Sequence, residues 1–345
     1  MNAYLKCISY YLPEQILENE ELNQKFPEWS VDKISSKTGI YKRHIAAKDE
    51  TACDMGVKAT LKLFEEWNIS KGTIDFIIFC TQSPDYFLPT TACVVQNKLG
   101  LPLSLGAIDI NMGCSGYIYG LSLAKGLIMS GVAKSILLIT SETYTKYINV
   151  ADKSNRTIFG DGATASLISK DQNNSLGCIL DFVFETDGSE YDSLIVKYGA
   201  SRHPVRDGKD VCVDGAFEHN DNNLYMNGKD IFSFTANRVP CLVDNVLKAN
   251  GLLYKDVNRF VFHQANQYMM NFIRKKMAID EDKFYTYLAN VGNTVSSTIP
   301  IALYHANQEN KLQGNILLAG FGVGLSMGGV IIKNNLQWNI SPISK

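Results

Sequence analysis

The sequence predicts an α/β protein built from two topologically equivalent halves. Three pairs of segments recur in the same order at nearly the same spacing. TIDFIIFCTQ (73–82) is similar to VNRFVFHQAN (257–266), which sets Cys80 against His263. DINMGCSGYIYGLSLAKGL (109–127) is similar to LANVGNTVSSTIPIALYHA (288–306), which sets Cys114 against Asn293. SILLITSE (135–142) is similar to NILLAGFG (315–322), with Ile136 against Ile316. Self-similarity at one period marks a repeated structural unit.

Within each half, short runs rich in Ile, Val, Leu and Phe have strand length: Phe76–Cys80 and Ile136–Ile139, then Phe260–Phe262 and Ile316–Leu318. Longer helical stretches separate them, and that alternation suggests buried sheets layered with helices. Ser115–Ser130 is apolar on nearly every face, with Ile118, Leu121, Leu123, Leu127 and Ile128 among small residues. A helix of that kind is central and buried. Ile316–Ile332 carries no charge, but glycines at 320, 322, 324, 328 and 329 interrupt it. It reads as strand, tight turn, strand, and not as a membrane span. The polar stretch KDQNNS marks a seam near 170–178, dividing an N-terminal half, 1–174, from a C-terminal half, 175–345. Residues 186–223 are polar, irregular and too long for a plain connector. Segments of that length are often lids or binding loops, and a surface insertion without a role has the same composition.

The chain of 345 residues is 46% hydrophobic and 20% charged, as expected of a soluble globular protein. A net charge of −2 argues against a general nucleic-acid binder, while a local basic patch could still dock an acidic partner. The eight cysteines form no C-x-x-C pair, and the first residues lack the apolar run of a signal peptide. Reduced thiols in a cytoplasmic protein follow, with no zinc site expected.

Three residues stand at junctions of the repeated units. Cys114 lies in M-G-C-S-G, a glycine-flanked turn just ahead of the apolar helix. Exposed N–H groups and the dipole at a helix N-terminus lower a thiol's pKa, and glycines permit close substrate approach. A lone cysteine is more often an inert small hydrophobe, and the other seven keep that reading. His263, one of five histidines, ends the apolar run Arg259–Phe262. Asn293 lies in V-G-N-T, where a turn residue is equally plausible. Their matched positions favour a shared site facing the seam.

Several co-linear motifs give the whole chain a resemblance to the β-ketoacyl-acyl-carrier-protein synthase III family of the thiolase superfamily. They are K-T-G-I-Y-K-R (37–43), D-I-N-M-G-C-S-G (109–116), F-G-D-G-A (159–163), M-N-G-K-D-I-F (226–232), H-Q-A-N (263–266), G-N-T-V-S-S-T-I-P (292–300) and G-F-G-V-G-L (320–325). The resemblance implies a five-layered αβαβα sandwich, a homodimer, and a Cys114–His263–Asn293 active site that needs no metal or redox cofactor. It further implies that Cys114 takes an acyl group from a thioester donor. The backbone N–H groups of Cys114 and Val323 would form an oxyanion hole. His263 and Asn293 would stabilise the enolate of a malonyl thioester as carbon dioxide leaves. Leu88 and Phe232 fall at substrate-pocket positions. Arg274, Lys275 and Lys276, on a helix after His263, match a docking surface for acyl carrier protein, although three adjacent cations are also a common solvated face.

Departures from the family pattern restrict the donor. Where members that use coenzyme A clamp its adenine with a Trp and an Arg, this chain has Lys33 and Lys37, and Tyr268 replaces a further Arg. Lys33 has no aromatic face and Lys does not stack as Arg does. A donor carried on protein, or an unusual acyl donor, in an accessory pathway is therefore expected. Leu88 in place of a bulky Phe cap suggests a medium or branched acyl group. The alternative chemistry on this fold is acyl transfer to an alcohol or amine without decarboxylation.

Overall fold

The apolar runs assemble, in the computed structural model, into one nine-stranded sheet; residues 2–334 are described. Its strands are β1 (Tyr4–Tyr11), β2 (Phe76–Cys80), β3 (Gly106–Ile110), β4 (Ser135–Glu142) and β5 (Gly162–Ser169), followed by β6 (Gly177–Thr186), β7 (Val257–Phe262), β8 (Gly314–Gly322) and β9 (Ser326–Asn334). They lie in the order β7-β8-β9-β6-β1-β5-β4-β2-β3.

The pairing pattern repeats. In the first five strands, β2 runs parallel to β4, β4 antiparallel to β5, and β5 antiparallel to β1. In the others, β7 runs parallel to β8, β8 antiparallel to β9, and β9 antiparallel to β6. The edge strand β3 has its counterpart in a single parallel bridge from Phe284 to Phe260. The two runs belong to one continuous sheet. A short antiparallel ladder, Tyr4 with Cys178 and Leu5 with Gly177, joins them.

Seven helices complete the layers: α1 (Val31–Thr38), α2 (Ala52–Glu66), α3 (Thr91–Leu99), α4 (Gly116–Met129), α5 (Gly228–Ala249), α6 (Gln267–Lys276) and α7 (Thr298–Gln308). Strand alternation directs them. Ile136 and Leu138 of β4, with Ile316 and Leu318 of β8, pack inward on α4 and α7. The intervening Leu137 and Ile139 face α2 and α3, whereas Leu317 and Ala319 face α5 and α6. Helices thus lie outside, between and outside two sheet halves, which is the five-layered arrangement of the thiolase fold.

The helix read from 115–130 is central, with Tyr117, Ile118, Leu121, Ala124 and Ile128 fully buried, although Leu123 remains 41% exposed. The glycine-interrupted run forms the β8–β9 hairpin. Asn334 is the last residue of β9, and its amide donates to the carbonyl of Leu312 at 2.6 Å. Residues 335–345 lie outside the described residues. None of the helices among the described residues is long and apolar enough to cross a membrane.

Candidate active site

Cys114 sits in the turn between β3 and α4, closed by a bond from the Gly116 N–H to the Gly113 carbonyl at 2.8 Å. A Cβ on Gly113 would lie 2.5 Å from Val323 Cγ1 and 2.6 Å from Gln82 Oε1. One on Gly322 would lie 2.9 Å from Cys114 Sγ. Glycine at both places lets the end of β8 close over the thiol. Burial pushes the Cys114 thiol up to about 12, and the Glu142 carboxylate adds to this. The backbone N–H groups of Val323 and Cys114 act in the opposite direction. The lowered thiol expected from a helix N-terminus is therefore not found: desolvation outweighs the N–H groups. Those same two N–H groups are the ones that the family resemblance implies for the oxyanion hole.

His263 and Asn293 come together within the C-terminal half. The His263 backbone N–H donates to the Ala319 carbonyl at 2.8 Å, and its ring meets Phe321 edge-on, with centroids 5.7 Å apart. Residues 319–323 thus connect the imidazole to the thiol. Asn293 is anchored to the F-G-D-G segment, donating from its backbone N–H to Ile158 and accepting from the Gly160 N–H, at 2.9 and 3.0 Å. Its side chain is oriented by Val295, whose φ of 56° is a costly left-handed conformation for a β-branched residue. The Val295 N–H donates to Asn293 Oδ1 at 2.9 Å, so Nδ2 faces His263 Nε2 at 3.5 Å.

Burial holds the His263 imidazole down at about 3, so it is neutral at ordinary pH. Its Nδ1 lies 2.7 Å from Thr298 Oγ1, and that hydroxyl is also 3.0 Å from the Val295 carbonyl. When Thr298 donates to Val295, it accepts the Nδ1 proton; when it turns to Nδ1, the proton belongs on Nε2. One hydroxyl therefore selects the imidazole tautomer.

Sequence reasoning missed Thr298, Glu142, Gln82 and Tyr144. Glu142 ends β4 buried, accepting from the Gln82 N–H at 3.0 Å and the Ser83 hydroxyl at 2.9 Å, and burial pushes its carboxyl up to about 8. The signal was present: an acid closing the apolar run SILLITSE, on a strand that leads into the site.

A cavity of about 910 Å³ opens beside Val323, Gln82 and Tyr144. Leu194 and Leu224 give it apolar walls, and Tyr198 and Arg206 bring the irregular segment 186–223 to it. Leu88 lines its mouth and is 82% exposed. Phe232 is not among the lining residues; it packs against Tyr268 and Phe272 in an aromatic cluster between α5 and α6.

The three cations of α6 are not equivalent. Arg274 bonds the Ile279 carbonyl and Glu281, both at 3.3 Å, and Lys276 donates to the Ala236 carbonyl at 2.9 Å. Lys275 is exposed. At the replaced clamp, the structure supplies an aromatic ring the sequence reading did not count. Trp29 has the ammonium groups of Lys33, Lys37 and Lys153 at 5.4, 5.9 and 5.8 Å from its ring centre. Three cations thus lie within cation–π distance of that ring.

A buried thiol influenced by two backbone N–H groups, with a His–Asn pair on the same five-layered fold, is the set of groups expected of a condensing enzyme. The family comparisons agree. The model described as 3-oxoacyl-[acyl-carrier-protein] synthase III matches residues 108–188, and that of its C-terminal region matches residues 247–334. The β-ketoacyl-[acyl-carrier-protein] synthase III of Clostridium perfringens is 37% identical over 335 residues, covering 96% of this chain and 99% of the relative. That of Fusobacterium nucleatum is 34% identical, covering 95% and 98%. A crystal structure of a 3-oxoacyl-(acyl-carrier-protein) synthase III superposes with a TM-score of 0.92 at 43% identity, covering 96% of this chain and 100% of that one. The Pseudomonas aeruginosa enzyme gives 0.84 at 29% identity, covering 97% and 99%. The chain belongs to the β-ketoacyl-acyl-carrier-protein synthase III family.

Proposed function

We propose that the chain loads an acyl group from a thioester onto Cys114 and condenses it with malonyl-acyl carrier protein, releasing carbon dioxide and a β-ketoacyl product. The thiolate attacks the donor's carbonyl, the N–H groups of Cys114 and Val323 hold the oxyanion, and the donor thiol departs. Malonyl then loses carbon dioxide, and Asn293 Nδ2 and His263 Nε2 donate to the resulting enolate oxygen. Its carbon attacks the acyl carbonyl, and collapse expels the Cys114 thiolate. Donation from Nε2 uses the tautomer in which Thr298 turns its hydroxyl to Nδ1.

The single observation carrying this reading is the pairing of Asn293 Nδ2 with a neutral His263. Two donors aimed at one point suit an enolate and have no task in simple acyl transfer. We further read 1–174 and 175–345 as the two halves, and the working form as a cytoplasmic homodimer. The cations over Trp29 favour a donor on carrier protein and an accessory pathway. On the α6 face, Lys275 is the cation best placed to meet an acidic carrier.

The test supplies an acyl donor and malonyl-acyl carrier protein to the wild-type protein and to Cys114→Ala, with products read by mass spectrometry. A β-ketoacyl carrier protein from the wild type alone supports the reading. Equal product from both proteins refutes it.

A further inference from the structure

The cavity beside Val323 and Gln82 is not lined as a hydrocarbon slot. Beside the Gly113–Cys114 turn, the Tyr144 hydroxyl donates to Gln82 Oε1 at 3.1 Å, and the Tyr147 hydroxyl donates to the Gln82 carbonyl at 3.0 Å. The Gln82 backbone N–H is held by Glu142. The glutamine is thus fixed at three points, with Oε1 occupied. Its amide nitrogen has no hydrogen-bond partner among the described residues, and Gln82 lines the cavity together with Tyr144 and Tyr147. Two N–H donors and two phenolic oxygens with free lone pairs thus belong to residues lining the cavity, and Gln82 also abuts Gly113, the neighbour of Cys114. Farther along, Leu194, Ile195, Val196 and Leu224 supply apolar walls.

We infer that the acyl group accepted by Cys114 carries an oxygen substituent, a hydroxyl or keto group, near its thioester end, where Gln82 and Tyr144 meet it. This rests on the reading of Cys114 as the acyl-carrying residue. The substituent's oxygen accepts from Gln82 Nε2, and a hydroxyl can also donate to a tyrosine oxygen. The remaining carbons lie on the leucines. An unsubstituted chain would cover the Gln82 amide and leave it without a partner, and sites built to hydrogen-bond a substrate group reject analogues lacking it. The loading step itself is ordinary transthioesterification: the Cys114 S–C bond forms, the donor S–C bond breaks, and the donor leaves as its thiol.

The experiment measures Cys114 loading by intact-protein mass, using matched thioesters on one carrier: butyryl against 3-hydroxybutyryl, and hexanoyl against 3-hydroxyhexanoyl. The hydroxylated member of each pair loads about tenfold faster in the wild type. Gln82→Leu brings the ratio close to one. Tyr144→Phe, which frees the glutamine to turn over, also lowers it. Equal or faster loading of the plain chains by the wild type overturns the inference, as does an unchanged preference in both variants. Preference for plain chains removes this inference alone. If no thioester acylates Cys114, the condensing reading fails and this one fails with it.

Discussion

Asn293 Nδ2 stands 3.5 Å from His263 Nε2, although the histidine directly follows β7 and the asparagine lies in the loop between α6 and α7, where different neighbours position it. Val295 turns the asparagine amide and Thr298 holds the imidazole. If both donate to one enolate oxygen, removing either should damage decarboxylation. His263→Ala and Asn293→Ala are each expected to lower carbon dioxide release from malonyl-acyl carrier protein by about a hundredfold or more. Loading of Cys114, followed by mass, should fall much less.

Thr298 acts through the histidine, as a positioning residue. Thr298→Val removes the hydroxyl 2.7 Å from Nδ1 and should lower decarboxylation about tenfold, while leaving loading close to wild type. Thr298→Ser should restore it. A valine variant with an undiminished rate of carbon dioxide release would separate Thr298 from the reaction.

The pH response of the thiol follows from its burial. With Cys114 pushed up to about 12, its thiolate fraction rises about tenfold per pH unit throughout the neutral range. Alkylation by iodoacetamide, mapped to the Cys114 peptide, should keep climbing from pH 7 to 9. A plateau below pH 8 would mean that the N–H groups outweigh desolvation. His263, held at about 3, stays neutral over the same range and contributes no inflection there. Its effect on stability has a definite sign. The unfolded chain binds the proton more readily, so stability is lost as pH falls from about 6.5 towards 3.

Much of this site was legible because the repeat is written in strand-length runs. Matching Cys114 to Asn293 and Cys80 to His263 follows from hydrophobic pattern, and β2 with β7 and β4 with β8 hold the same places in the sheet. What the sequence could not supply is distance. Nothing in V-G-N-T-V-S-S-T indicates that Val295 is left-handed or that Thr298 turns back on the histidine. Composition likewise hid the balance at Cys114, where a helix N-terminus and burial oppose each other and only packing decides between them. The three cations 274–276 look alike in sequence, yet side-chain partners divide them.

That division is testable. Lys275→Glu should raise the KM for malonyl-acyl carrier protein with little change in kcat, and salt should shrink the effect. Arg274→Glu breaks bonds to Ile279 and Glu281, and should lower thermal stability as well.

Close approach at the thiol is another requirement. Gly322→Ala places a methyl group 2.9 Å from Cys114 Sγ and should displace it, lowering loading by about a hundredfold.

The most direct measurement is a single-turnover chase. Acyl-Cys114 is formed, isolated, and mixed with isotopically labelled malonyl-acyl carrier protein. The account predicts that the acyl mass on the Cys114 peptide disappears in step with release of one equivalent of labelled carbon dioxide and formation of one β-ketoacyl carrier protein. Transfer of the acyl group without carbon dioxide, or an adduct that persists while product accumulates, would contradict it.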